Sequence, residues 1–403
     1  MIGYRAAWIV PVSGPPLRDE WVSVDGDRVF ACGPAGSSER RGTPEVDLGR
    51  VAVLPGLVNA HTHLELSYLR GLSPTGAGFV GWIRALLAER RRRPDPRAPE
   101  ILEGVDQGIA EALRSGTALV GDISNSLVTF APLSASGLAA LVFLELTGFN
   151  PADATALVDE ASVRLDQLPA TERVRASLAA HAPYSVAPTV VAAIAESNRR
   201  LLRPTSVHVS ESAEEVEFVR TGGGPWRQLL EDLGAWNPGW KAPGVSPMQY
   251  LDDVGCVGGR TLAVHGVHAT ADDLARLAAR RTTLVTCPRS NVRTGAGIPP
   301  IEAFYASGVK IAVGTDSLAS TPDLNLFSEL AEMRARAPSV PARLLLESAT
   351  RVGARALGFG DYGAIEPGCR ARLIAVDVPP GVDDVEEYLV SGIQPEQIRW
   401  IES

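Results

Sequence analysis

Pro55-Gly56-Leu57-Val58-Asn59-Ala60-His61-Thr62-His63 is an apolar run that closes on two histidines separated by one residue. On a strand, residues i and i+2 point to the same side, so His61 and His63 would face together at the end of this one. Taken alone, a His-x-His pair could equally be two hydrogen-bonded core histidines, and the rest of the chain decides. All six histidines fall in four short motifs: this one, His181-Ala182-Pro183-Tyr184, His208-Val209-Ser210-Glu211 and His265-Gly266-Val267-His268. Each motif follows or ends an apolar, strand-like run. A fifth motif, Gly314-Thr315-Asp316-Ser317, closes another such run. Histidine is the commonest metal ligand and the usual acid or base near neutral pH, so this placement points to metal-assisted chemistry.

The runs recur along the chain. Leu57–His63, Ala118–Ile123, Ala140–Leu146, Val174–Ala180, Ser206–Val209, Leu262–His265, Thr283–Cys287 and Lys310–Gly314 make eight, nearly continuous in apolar residues, as strands buried on both faces should be. Between them lie amphipathic stretches, among them Glu100–Arg114, Ala152–Gln167, Pro188–Arg200 and Ala271–Arg280. Thr270 is placed to cap the last of these. Eight strands alternating with helices predict an α/β fold, a (β/α)8 TIM-type barrel. An open doubly wound sheet competes, but no Gly-rich dinucleotide fingerprint follows the first strand.

The chain ends read differently. Short strand-like runs at Ala6–Val10, Trp21–Val24 and Arg28–Ala31, and again at Ala371–Val376, Tyr388–Ser391 and Gln397–Ile401, predict a small discontinuous β-sandwich built from both ends. The expected division is residues 1–53 and 359–403 for that β-domain and 54–358 for the barrel. Residues 222–250 break the barrel's period with Gly222-Gly223-Gly224, Trp226, Trp236 and Trp240. This stretch reads as a lid or specificity insertion, or as a packed surface excursion.

A net charge of −9 over 403 residues argues against nucleic acid or an anionic membrane as the main partner. The first residues lack a basic, apolar leader, and no stretch is apolar enough to span a bilayer. Cys32, Cys256, Cys287 and Cys369 are far apart and form no CxxC pair, as expected of reduced thiols in a cytoplasmic protein. The only lysines are Lys241 and Lys310.

Each site residue has a structural alternative. Glu211 could be no more than the acidic first turn of a helix that Ser210 or Ser212 caps. Asp316 could cap its own turn, although a strand-end aspartate against an apolar interior is costly unless paired or metal-bound. His265 would be a base that is not a ligand. For His268 a structural or capping role is expected, and for His181 either a substrate contact or a satisfied core histidine. Phe79, Trp82 and the tryptophans of 222–250 could close over a substrate or simply pack. Arg90-Arg91-Arg92-Arg93 reads as a solvated helix end. All five motifs land at C-terminal strand ends, where barrels of this type carry their active sites.

Taken together, Leu54-Pro55-Gly56-Leu57-Val58-Asn59-Ala60-His61-Thr62-His63-Leu64-Glu65, His181-Ala182-Pro183-Tyr184, the His208/Glu211 pair, Cys287-Pro288-Arg289-Ser290-Asn291 and Gly314-Thr315-Asp316-Ser317 resemble the amidohydrolase superfamily, in its mononuclear deaminase branch. The resemblance implies His61, His63, His208 and Asp316 as metal ligands and Glu211 as proton shuttle. It implies His265 as the residue that orients the attacking water, Asp316 as a proton carrier, and His181 and Trp82 as substrate contacts. Dinuclear members need a carboxylated lysine on a middle strand. Neither Lys241 nor Lys310 lies there, so one divalent ion is implied, zinc first and iron second.

Within the branch, His61-Thr62-His63-Leu64-Glu65-Leu66-Ser67, Phe79 with Trp82, and Gly121-Asp122-Ile123-Ser124-Asn125 are most similar to aminodeoxyfutalosine deaminases of menaquinone synthesis. Adenosine, S-adenosylhomocysteine and guanine deaminases, ring-opening or dehalogenating hydrolases, and a non-catalytic scaffold are the alternatives. Relatives hold ribose with a carboxylate soon after the first helix. Glu89 is the nearest candidate here, in an imperfect register. The implied partner is a small purine-type molecule, and a homodimer is compatible with the family.

Overall fold

The computed structural model describes residues 1–33, 44–71 and 78–401. Its strands are β1 (Ile2–Ile9), β2 (Leu17–Asp25), β3 (Arg28–Cys32), β4 (Glu45–Asp47) and β5 (Val51–Pro55), followed by β6 (Leu57–Thr62), β7 (Thr117–Ser124), β8 (Ala139–Leu146) and β9 (Val174–Ala180). Then come β10 (Thr205–Val209), β11 (Thr261–His265), β12 (Thr283–Thr286), β13 (Lys310–Val313), β14 (Leu373–Asp377) and β15 (Ile398–Trp400). Every residue of β6, β7, β8, β10, β11 and β12 is buried. That explains why these stretches lack a polar alternate position: parallel strands with helices on one side and a packed interior on the other have no wet face.

The strands from β6 to β13 form two four-stranded parallel sheets, β6-β7-β8-β9 and β10-β11-β12-β13. Hydrogen bonds join both seams between them: His208 N donates to His181 O at 2.9 Å, and Asp316 N donates to His61 O at 3.0 Å. The second seam needs glycine. A Cβ on Gly314 would come within 2.6 Å of the His61 carbonyl oxygen; within the first sheet, one on Gly121 of β7 would come within 2.5 Å of the Ala60 carbonyl oxygen of β6.

The chain ends meet as predicted in one respect and differ in another. β14 pairs antiparallel with β5, and β15 with β14, giving one hydrogen-bonded sheet in the order β15-β14-β5-β1-β2-β3 with β4 also on β1. The described strands of the chain ends are thus joined in a single hydrogen-bonded seven-stranded sheet. Where a strand was expected at Tyr388–Ser391, the chain instead ends a helix, Val385–Leu389, and turns. Asp384 caps it by accepting from Glu387 N at 3.0 Å, a local bond that outweighs the short apolar run. Thr270 caps helix Ala271–Arg280 through a reciprocal capping box with Asp273, as its position predicts. The four cysteines are free. No helix among the described residues is long and apolar enough to cross a membrane.

One buried carboxyl in this frame makes a testable demand. Asp122, wholly buried on β7, accepts from Leu64 N at 2.8 Å through Oδ1, while Oδ2 has no partner. Burial pushes its carboxyl up from 3.8 to about 7. The folded chain therefore holds a proton that the unfolded chain has lost. The stability this contributes is complete below the unfolded value and disappears as pH rises through about 7. Asp122→Asn should therefore gain stability relative to the parent between about pH 5 and about pH 8, by on the order of 3 kcal/mol. Thermal unfolding of both proteins at the two pH values checks this, and a pH-independent difference would refute it.

Candidate metal centre and active site

The parallel strands deliver their C-terminal ends to one end of the two sheets, and the five motifs arrive there together. His61 lies on β6 with His63 just beyond it, His208 on β10, His265 at the end of β11, and Asp316 three residues past β13. The His61 and His63 rings meet edge to face with centroids 4.9 Å apart. His61 and His208 do the same, also at 4.9 Å.

The ligand atoms converge. His61 Nε2 and His208 Nε2 are 3.2 Å apart, and Asp316 Oδ1 is 3.8 Å from His61 Nε2 and 3.5 Å from His63 Nε2. A tetrahedral cation with bonds of ~2.0–2.1 Å needs ligand–ligand separations of about 3.3 Å. The three separations here are close to that value, and His61 is shared by the trios His61–His63–Asp316 and His61–His208–His265, the ligand atoms of each lying within 4.8 Å of one another. Burial, joined by the neighbouring histidines, pushes the His61 ring well below its ordinary pKa, which keeps it neutral and able to ligate. His208 Nδ1 donates to the His181 carbonyl at 2.8 Å, leaving the Nε2 lone pair free. Asp316 Oδ2 accepts from Ser290 Oγ at 2.5 Å and Ser320 Oγ at 3.1 Å, which turns Oδ1 toward the histidines.

Distance alone admits two trios besides His61–His63–Asp316 among the described residues: Glu145, His181 and His208, and His61, His208 and His265. A hydrogen bond sets the last of these apart. Asn291 Nδ2 meets His265 Nδ1 at 2.9 Å. With the amide donating, the ring proton sits on Nε2, and that nitrogen faces Glu211 Oε1 at 3.4 Å. A protonated Nε2 neither ligates nor accepts a proton, so in this tautomer His265 is a hydrogen-bond donor into the site and not the base that the sequence suggested. Burial pushes the His265 ring down to about 3.

Glu211 is free for chemistry because another residue takes the structural job considered for it. The Ser210 and Glu211 amides both donate to the Glu215 carboxylate at 2.8 Å, and Ser212 caps helix Ala213–Thr221 through Glu215 N. Burial, then Asp316 and Glu215, push the Glu211 carboxyl well above its ordinary range. Of the eight described non-glycine residues with positive φ, three are Ser210, His265 and Asp316. Backbone strain of this kind clusters at working sites.

The remaining expectations sort by contact. His268 Nε2 bonds the Ala296 carbonyl at 2.8 Å, a structural role. His181 and Trp82 line the cavity over the ligand set, with His181 Nδ1 held by Ser185 Oγ at 2.6 Å. Glu89 pairs with Arg92 and Arg93 at 2.6 and 3.4 Å and is absent from the described lining. Arg90, read as part of a solvated helix end, lines the cavity instead. Trp226 stacks face to face on Tyr184 at 3.5 Å, and Trp240 on Phe218 at 4.9 Å. The 222–250 excursion is therefore packed down, and it walls the site.

Sequence reasoning missed Glu145. It is 7% exposed, lies 3.5 Å from His208 Nδ1, and accepts from Asn125 Nδ2 at 2.9 Å. An acid inside the otherwise apolar run Ala140–Leu146 was the available signal. Ser290 and Asn291 were quoted within a motif without a role. Arg289 fixes their helix, Pro288–Thr294, by bonding Asp323 and Glu329 at 2.8–3.0 Å.

The model of the amidohydrolase family matches residues 52–396. The chain is 30% identical over 400 residues to the 5-methylthioadenosine/S-adenosylhomocysteine deaminase of Moorella thermoacetica, covering 95% of this chain and 88% of that one. It is 32% identical over 354 residues to the aminodeoxyfutalosine deaminase of Deinococcus radiodurans, covering 84% and 81%. An adenosine deaminase from Xanthomonas campestris, solved with bound zinc, superposes with a TM-score of 0.82 at 28% identity over 98% of this chain and 90% of that one.

Proposed function

The chain belongs to the amidohydrolase family, the metal-dependent hydrolases, and from that premise we propose that it is a hydrolytic deaminase. It replaces the exocyclic amine of an adenine-type nucleoside with oxygen, and 6-aminodeoxyfutalosine is the substrate we favour. The observation that carries this reading is the buried Glu211, its carboxyl pushed above the ordinary range by burial and two neighbouring acids, set 3.4 Å from His265 beside a cluster of ligand-type side chains. Adenine-nucleoside deaminases among the relatives support it. The two half-sheets, bonded at both seams, support a closed (β/α)8 barrel over residues 54–358. The sheet shared by the chain ends supports a separate β-domain of residues 1–53 and 359–403.

His61, His63, His208 and Asp316 would hold one divalent cation, zinc in this reading. That cation supplies the nucleophile by lowering the pKa of a water molecule toward ~7. Glu211 gives its proton to the ring nitrogen beside the carbon that bears the amine, which makes that carbon electrophilic. Burial and the neighbouring Asp316 and Glu215 raise the pKa of Glu211, which favours the proton-carrying form that a general acid needs. His265, pinned by Asn291, orients the attacking oxygen through Nε2. Asp316, steadied by Ser290 and Ser320, accepts a proton from the attacking oxygen and returns it to the departing amine, which leaves as ammonia, while the oxygen's second proton returns to Glu211 as the carbonyl forms. His181 and Trp82 hold the base against the wall of the cavity.

Ammonia release by the zinc-loaded protein from aminodeoxyfutalosine, adenosine, S-adenosylhomocysteine, guanine and cytosine tests the reading. The expected outcome is turnover of adenine nucleosides, with aminodeoxyfutalosine preferred. Turnover of another adenine nucleoside in its place would overturn the substrate, and silence on all five would overturn the reaction class.

A further inference from the structure

Above the ligand set the cavity has two parts. The inner one, about 70 Å3, is lined by His63, His208, Glu211, His265 and Asp316. It is too small for a whole nucleoside. It opens into an outer cavity of about 540 Å3. Both parts share Ile83, Leu86, Arg90, Asn125, Glu145, His181 and Tyr184. The described charged residues of the outer cavity, Arg90 and Glu145, are thus at the junction. Glu145 is turned to Asn125 and His208, and Arg90 lies 3.8 Å from Glu65.

Beyond the junction, the described wall carries no charge. It is made by Leu87 and Phe149 and by the helix at Gly224–Asp232 with its cap, through Trp226, Leu229, Leu230 and Leu233. This wall is already formed. Trp226 is 2% exposed, stacked on Tyr184 and edge-on to Phe79. Leu229 and Leu230 are buried, while Leu233 at the helix end is 37% exposed, in an opening through which a substituent can reach solvent.

We infer that the outer cavity is a subsite for an apolar, ring-sized substituent on the sugar of the substrate, and that it rejects a zwitterionic one. The inference rests on the deaminase reading in taking the base to the inner cavity. With the base there, the sugar lies at the junction and its 5′ substituent meets the leucine and tryptophan wall. An apolar ring gains there by leaving water. An amino-acid tail would bring an ammonium against a wall whose described polar side chains beyond the junction are the hydroxyls of Thr147 and Ser185, with no carboxylate to pair it.

Calorimetric binding of adenosine, 5′-deoxy-5′-phenylthioadenosine and S-adenosylhomocysteine to the zinc-loaded full chain tests this, with ammonia release followed in parallel. The phenylthio compound should bind about 10- to 100-fold more tightly than adenosine, and S-adenosylhomocysteine no more tightly than adenosine. Leu233→Arg should shrink the phenylthio advantage by about 10-fold. Equal binding of the phenylthio compound and adenosine, tightest binding of S-adenosylhomocysteine, no binding of any of the three, or an advantage unchanged in Leu233→Arg would each overturn the subsite. The phenylthio preference without ammonia from any compound would leave the subsite standing and remove the deaminase reading. Ammonia release with no preference would do the reverse.

Discussion

Glu211→Gln keeps its metal and loses about 10²–10⁴-fold in kcat. The substitution removes one transferable proton and little else. The backbone around position 211 is held by other groups, because Glu215 takes the Ser210 and Glu211 amides and Ser212 caps the following helix. None of the converging ligand atoms belongs to Glu211. A neutral amide also relieves a carboxyl that burial and two neighbouring acids already disfavour as an anion, so folding should not suffer. Steady-state rates together with metal content per chain measure the effect. A metal-replete Glu211→Gln at parental rate would remove Glu211 from the chemistry.

The larger loss comes from the ligand set. His61→Ala, or removal of the cation by a chelator, should abolish measurable turnover, a fall of ~10⁶-fold or more, because the nucleophile itself is lost. Stability should fall too. A ligand held only by the folded state contributes about 4 kcal/mol when its concentration is 1,000 times its dissociation constant. His61 is fully buried, its Nε2 meets His208 Nε2 at 3.2 Å, and its Nδ1 has no hydrogen-bond partner, so without a cation the ring has one hydrogen bond at most in a dry site. Differential scanning of the chelated and zinc-loaded protein should show a Tm several degrees higher with zinc, and His61→Ala should show no such gain. A His61→Ala chain that binds one equivalent of zinc as tightly as the parent would contradict the ligand assignment.

What the chain disclosed before its fold was known depended on how local each signal is. His61 and His63 announce a shared face through strand period alone, and the continuous apolar runs announce strands covered on both sides. Groups that act through distant partners stayed hidden. Arg90 belongs to a run of four arginines that reads as solvent-facing, and only the packing of helix Gly78–Arg91 over the strand ends turns one of them inward. Glu145 looks like an exception within a strand until His208, from another strand, is brought beside it. Asn291 cannot be read as the residue that sets the His265 tautomer, because the two are 26 positions apart. Glu211 and Glu215 compete on paper for the same helix start, and hydrogen bonds alone assign the structural task to Glu215. The helix at Val385–Leu389 shows the opposite failure, where a short apolar pattern yields to the Asp384 cap.

The central claim is hydrolysis at a carbon that bears an exocyclic amine. It is tested most directly by turning over an adenine nucleoside in water enriched in heavy oxygen, with product mass and ammonia measured together. The account predicts one heavy oxygen in each product base and one ammonia released per product. Product lacking the heavy oxygen, or formed without ammonia, would contradict it.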